Sequence, residues 1–197
     1  MSFAENIPQI LHVVNVVNPR IVLDVGAGFG KYGLLIREQY LSRKTERGDL
    51  SPTDDMHISA IEDNGYFLKP DRLWTIYNNV FIKPLGNEFH SSFRMHYDLV
   101  LLIDVIEHWT EMEASIRIKA LLEHTDNILI STPKEVTMYK DHFYGDNRHH
   151  ITQFNKDFLP SIGITYLDYS NHLSWIWLIK KGKPIMTDVE GRNFESN

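Results

Sequence analysis

An α/β three-layer sandwich, with helices on both faces of a seven-stranded and mostly parallel sheet, is the fold class this sequence predicts. Three observations lead there. Short, continuous apolar runs at residues 21–25, 58–62, 97–104 and 127–131 read as strands buried on both faces. Helical stretches alternate with them, the order that produces a parallel sheet. The last two strands, 164–169 and 175–180, are separated only by residues 170–174. So short a connection suits a hairpin, and the last strand is expected to be antiparallel.

The elements follow in order. Ile7, Ile10, Leu11, Val14 and Val17 recur at helical spacing, which predicts an amphipathic first helix ended by Asn18-Pro19. After the strand at 21–25 comes a glycine-rich turn, then a helix over about 31–41. Segment 42–57, SRKTERGDLSPTDDMH, is polar and holds Gly48 and Pro52. It reads as a long surface loop, either a tolerated insertion or a lid. The second strand, a helix over much of 66–77 and a weaker strand near 80–82 follow. The strand at 97–104 ends in a carboxylate, and the next helix covers roughly 111–123. A helix near 155–159 precedes the final hairpin.

Composition sets the boundaries of function. The 197 residues suit one domain, expected over residues 1–182, with a frayed polar tail at 183–197. A 43% hydrophobic content can bury a substantial core. The net charge of -6 argues against nucleic acid as a partner, because a broad grip on phosphates needs a basic surface. Cysteine is absent, which excludes disulfides and thiolate-metal sites. The start, MSFAENIPQI, lacks the basic-then-apolar order of a secretory signal. No apolar run approaches the ~20 residues that span a bilayer. A soluble, cytoplasmic protein with no membrane partner is the expectation.

The turn Asp24-Val25-Gly26-Ala27-Gly28-Phe29-Gly30-Lys31-Tyr32-Gly33 carries the first chemistry. Glycines at a strand-to-helix turn let backbone approach a ligand, and the helix start offers unpaired N–H groups. A P-loop would need glycine at Val25 and Ser or Thr at Tyr32, so that reading fails. A dinucleotide fingerprint fits only as Gly28-x-Gly30-x-x-Gly33, starting too far beyond the strand, and a start at Gly26 puts Lys31 where the third glycine belongs. The D-x-G-x-G-x-G turn fills every position. Here the sequence resembles the class I, Rossmann-like S-adenosylmethionine (SAM)-dependent methyltransferases. The resemblance implies that Asp24, Gly26, Ala27, Gly28 and Gly30 hold the methionine part of SAM.

Three further motifs extend the resemblance over about residues 20–180. Glu62, followed by Asp63, ends the second strand, where the family places an acid for the ribose hydroxyls. A carboxylate can accept from both donors of a diol. It lies 38 residues after Asp24 rather than the usual ~20, and segment 42–57 supplies most of the excess. The strand ending Asp104-Val105-Ile106-Glu107-His108 looks like the family's fourth-strand motif, with Asp104 and Val105 beside the cofactor. Ser131-Thr132-Pro133 resembles the end of its fifth strand. No acid directly follows the third strand, where the family often places one beside adenine: the chain reads Lys83-Pro84-Leu85-Gly86-Asn87-Glu88.

The implied activity is methylation of an oxygen or nitrogen on a small-molecule acceptor. SAM is an activated donor, so the enzyme has to align the acceptor and remove its proton. His108 and His149 are the expected catalytic residues, His142 and His150 being further histidines nearby. A metal-assisted ribose or catechol O-methyltransferase is the first rival. The small-RNA terminal ribose methyltransferases hold a divalent metal with an E-x-x-E-H segment and a later histidine. The matching positions are Asp104, Glu107, His108 and His149, with Asp104 in place of the first glutamate. A non-catalytic SAM-binding protein is the second rival and a nicotinamide-dependent reductase the third. Trp74, Trp109, Trp175 and Trp177 are candidates to flank adenine or a planar acceptor, with Trp175 and Trp177 reading rather as core residues of the last strand. Acceptor, metal use and oligomeric state stay open.

Overall fold

The computed structural model describes residues 3–49, 55–63, 76–83, 95–135 and 150–182, and the backbone at 186–187 and 193–194. A 3-10 turn, Ala4–Asn6, leads into α1 (Ile7–Val17). The main chain then runs β1 (Ile21–Val25), α2 (Lys31–Glu46), β2 (His57–Glu62), β3 (Asn79–Ile82) and β4 (Leu99–Ile103). It continues through α3 (Glu111–Leu121), β5 (Asn127–Pro133), α4 (Phe158–Ser161), β6 (Leu167–Asp168) and β7 (Ser174–Lys180).

Seven strands form one sheet in the order β3-β2-β1-β4-β5-β7-β6. The five from β3 to β5 are parallel, while β7 runs antiparallel to both β5 and β6. This is the expected mostly parallel α/β sheet with its last strand, β7, antiparallel. The strand order reverses between β1 and β4, so their carboxyl ends open the crevice where such sheets bind ligands.

Alternation along the strands divides the core in two. Leu23, Val25, Val100, Leu102, Ile128 and Ile130 face α3 and α4, packing with Ile118, Leu121, Phe158 and Leu159. Val22, Ile58, Ala60, Leu99, Leu101 and Leu129 face the other way, toward Ile10, Val13 and Val14 of α1 and Ile36 of α2. Asp24 shares a face with Val22, which puts a carboxyl group at the edge of an apolar layer. Trp109 and Trp177 are buried in the first cluster, as their apolar area demands.

Three boundaries differ from the sequence reading. The helix after the glycine turn does not stop near 41 but runs to Glu46. Its extra turn is polar because it faces water, and Arg43 Nη1 donates to Asn18 Oδ1 at 2.9 Å. Gly48, at φ 76°, turns the chain out of the helix, with Asp49 N–H donating back to Lys44 O. β6 is two residues rather than six, cut off where Asp168 accepts from Ser170 N–H and Oγ. In the tail, β8 (Met186–Thr187) and β9 (Asn193–Phe194) pair with each other, apart from the main sheet. Residues 66–75 of the expected helix lie outside the described residues, and 76–77 are not helical.

A polar stitch joins the first turn to the far side of the sheet. The buried Asn6 donates to Ser174 Oγ at 2.9 Å and to Ser131 Oγ at 3.5 Å, and accepts from Asn171 Nδ2 at 2.9 Å. No helix among the described residues is long and apolar enough to cross a membrane.

Helix α3 begins with a reciprocal cap: Glu113 N–H donates to Thr110 Oγ1, and Thr110 N–H donates to Glu113 Oε2. Thr110→Ala should therefore lower stability by about 1 kcal/mol in urea unfolding, while Thr110→Ser should stay close to wild type.

Candidate functional site

The carboxyl ends of β1, β2 and β4 meet at the glycine turn. The turn leaves β1 by hooking onto β2, with Gly26 N–H and Ala27 N–H both directed to Ile61 O at 2.8 and 3.3 Å. Gly26, at φ 71°, is required twice over: its conformation is left-handed, and a Cβ would lie 2.6 Å from Val105 Cγ2. Gly28, at φ 54°, faces open space, with nothing within 4 Å of where a Cβ would sit. Gly30, at φ 81° and ψ 19°, caps the amino end of α2. Phe29 is exposed at the tip of the turn, and Ala27 is buried beneath it.

Two buried acids flank the turn. Glu62 ends β2 and accepts from Gly28 N–H at 2.9 Å and from Asp63 N–H at 3.1 Å. Asp24 accepts from the phenolic O–H of Tyr77 at 2.6 Å. Burial pushes the Asp24 carboxyl up to about 7, while the Tyr77 hydrogen bond lowers it and the neighbouring Glu62 charge raises it. The same burial pushes the Tyr77 phenol upward, and the Asp24 charge adds to the effect.

The exit from β4 is strained. Asp104 has φ 53°, unusual for a residue with a Cβ, and its N–H donates to Ser131 O at 2.8 Å. Beyond it, a single 3-10 turn carries Ile106-Glu107-His108. Glu107 is fully buried, and its Oε2 accepts from Thr132 Oγ1 at 3.1 Å. Its backbone carbonyl also accepts from Ile151 N–H and Thr152 N–H, and Thr152 Oγ1 donates to Trp109 O. These bonds bring the strap at 150–154 against the end of β4. His150 thereby lies edge-on to His108, with ring centroids 4.9 Å apart.

One carboxylate oxygen of each acid here, Asp104 Oδ1 and Glu107 Oε1, is buried without a hydrogen-bond partner among the described residues. Both carboxyl groups are raised, first by burial; the charge of Asp104 raises Glu107 further, while Lys31 draws Asp104 down. One ligand atom from each of Glu107, His108 and His150 lies within 4.8 Å of the others. Two imidazoles and a carboxylate are a donor set suited to Zn²⁺ or Mn²⁺.

The structure thus brings Asp24, Gly26, Ala27, Gly28, Gly30, Glu62, Asp63, Asp104 and Val105 to one edge, with Glu107 and His108 beside them. His149 lies outside the described residues, and the histidine that meets His108 is His150. Residues 84–88, beyond the third strand, also lie outside. Two participants carried no motif: Tyr77, and Gly33, whose Cβ would strike the Tyr77 ring at 2.4 Å. A buried strand-end acid demands a donor, which is the one signal that could have directed a search for Tyr77.

No family model and no curated protein sequence matches the chain. Solved structures do resemble it. The magnesium protoporphyrin IX methyltransferase ChlM from Synechocystis PCC 6803, with bound SAH, aligns over 90% of this chain and 83% of its own at 14% identity and a TM-score of 0.59. The methyltransferase domain of bacterial CtHen1 covers 90% and 97% at 17% identity and 0.59. An O-methyltransferase family protein from Burkholderia thailandensis covers 90% and 58% at 15% identity and 0.56. The chain has the Rossmann-like fold of these class I methyltransferases.

The raised Asp24 has a measurable consequence. Burial favours its neutral form, so the folded chain keeps a proton that the unfolded chain releases above its ordinary value of 3.8. The resulting stability is complete below pH 3.8 and is lost as pH rises to about 7. The unfolding free energy from urea titrations should fall across that interval, by up to about 1.4 kcal/mol per pH unit from this group. Asp24→Asn should flatten that part of the slope.

Proposed function

We propose that this protein is a methyltransferase that uses SAM to methylate an oxygen or nitrogen of a small-molecule acceptor. One observation carries the reading: Gly28 N–H bonded to Glu62 joins the turn after β1 to the acid ending β2, with Asp24 alongside, at the point where strand order reverses. These groups suit the two polar parts of SAM. Asp24 offers a carboxylate to the methionine ammonium, while Glu62 keeps lone pairs for the ribose hydroxyls beyond those taken by Gly28 and Asp63. The left-handed Gly28, with open space before it, gives backbone a close approach to the ligand.

SAM supplies an electrophilic methyl group already activated by the sulfonium charge. The protein's part is to bind, align and deprotonate. The Val105 side chain forms the wall beside Gly26 and limits how far the reacting end enters. His108 stands at the acceptor side of that wall, with its ring set against His150, and takes the acceptor's proton at near-neutral pH. ChlM, whose fold this chain shares, holds SAH in its solved structure, which supports SAM as the cofactor here.

A second reading rests on the convergence of Glu107, His108 and His150. These three residues would hold a divalent cation that lowers the pKa of an acceptor hydroxyl, with the unpartnered Oε1 of Glu107 as the oxygen ligand. A ribose or catechol oxygen is the acceptor class suited to that arrangement.

Calorimetric titration with SAM is the decisive test. Saturable binding should appear in the wild type and be lost in Asp24→Ala and Glu62→Ala, and absence of binding by the folded wild type refutes the reading. Transfer of labelled methyl from SAM to a small-molecule extract should then fall at least about 100-fold in His108→Ala, within the usual range for losing a general base. Titration with Mn²⁺ or Zn²⁺ separates the metal-assisted version. It expects binding that Glu107→Gln and His150→Ala abolish, and activity that chelator removes and Mn²⁺ restores.

A further inference from the structure

We propose that Tyr77 is a positioning residue for the cofactor, acting through Asp24: its phenolic O–H fixes the carboxylate at the end of β1, and Gly33 keeps open the space in which it does so. The proposal rests on the reading that this site holds SAM. It adds a residue that belongs to none of the glycine-turn or strand-end motifs.

The geometry has three parts from three segments. Tyr77, just before β3, is buried and places its hydroxyl 2.6 Å from Asp24 Oδ2. Gly33 sits in the first turn of α2, where a Cβ would fall 2.4 Å from Tyr77 Cζ and 2.5 Å from its Oη. No side chain at position 33 can coexist with the phenol where it stands. The Gly33 backbone N–H also favours the ionised form of Asp24.

A core filler would need no hydroxyl, and phenylalanine would pack the same layer. The hydroxyl instead meets a carboxylate buried at the edge of that layer. A carboxylate has about four acceptor sites, so the phenol orients it and still leaves lone pairs for a ligand. The same bond also favours the ionised form against burial. A cationic ligand group needs that form. The groups facing Asp24 are Tyr77, the Gly33 N–H and Glu62; of these Glu62 opposes ionisation, and the two donors favour it.

Tyr77→Phe is the test, because it removes one oxygen and keeps the ring. Two measurements are made: SAM affinity against pH by calorimetry, and the Asp24 carboxyl titration by carbon NMR in ligand-free protein. The variant should bind SAM about tenfold more weakly near neutral pH, the size of a hydrogen bond to a charged group. Its affinity profile and its Asp24 titration should both move to higher pH. Gly33→Ala, which displaces the ring, should weaken SAM binding in the same direction.

The outcomes separate. If the wild type binds SAM and Tyr77→Phe leaves affinity, pH profile and Asp24 titration unchanged, the proposal is overturned while the cofactor reading stands. Lower thermal stability with unmoved pH behaviour also overturns it, since that is the mark of packing alone. If the folded wild type does not bind SAM, the cofactor reading falls and the positioning role falls with it.

Discussion

Parallel pairing of β1 between β2 and β4 is the constraint on which the rest depends. In a parallel sheet every strand leaves at the same edge, so whatever ends one strand lies beside whatever ends its neighbours. Asp24, Glu62 and Asp104 are far apart in sequence and adjacent in space for this reason alone. The turn after β1 must then pass between two neighbours. Glycine at position 26 clears Val105 on one side, while the Gly28 N–H reaches Glu62 on the other.

Gathering acids at one edge of an apolar sheet has an electrostatic cost, and the fold meets it unevenly. Asp24 receives a phenol, and Glu62 receives two backbone N–H groups. Asp104 and Glu107 are each left with one oxygen lacking a partner among the described residues. Native proteins satisfy nearly all buried polar atoms, so a Glu107 oxygen without a partner among the described residues, beside two imidazoles, marks a candidate ligand position. The strained φ of Asp104 falls in the same place.

Much of this was legible because it is local. A strand followed by a glycine turn, a strand followed by an acid, and D-V-I-E-H after an apolar run are each contained within about ten residues. The sheet class, its antiparallel last strand and the residues lining its edge follow from such segments. What was not legible comes from contacts between segments. Tyr77 stands 53 positions from Asp24, and nothing around it marks it as a donor. His150 faces His108 because Glu107 O pins the strap at 151 and 152, a backbone bond that no side-chain pattern encodes. The last turn of α2 was read as loop because its residues are hydrophilic, yet a helix turn that faces water is hydrophilic too.

The polar stitch at Asn6 bears on the order in which the molecule is built. Asn6 and Ser174 are 168 positions apart, and Ser174 is reached only when β7 has added itself antiparallel to β5. Loop closure over that distance is entropically unfavourable until the intervening sheet exists. The buried junction of Ser131, Ser174 and Asn6 is therefore among the last parts to lock. A partly folded chain would hold its glycine turn and β1–β2 pairing while the β5–β7 side of the sheet was still open.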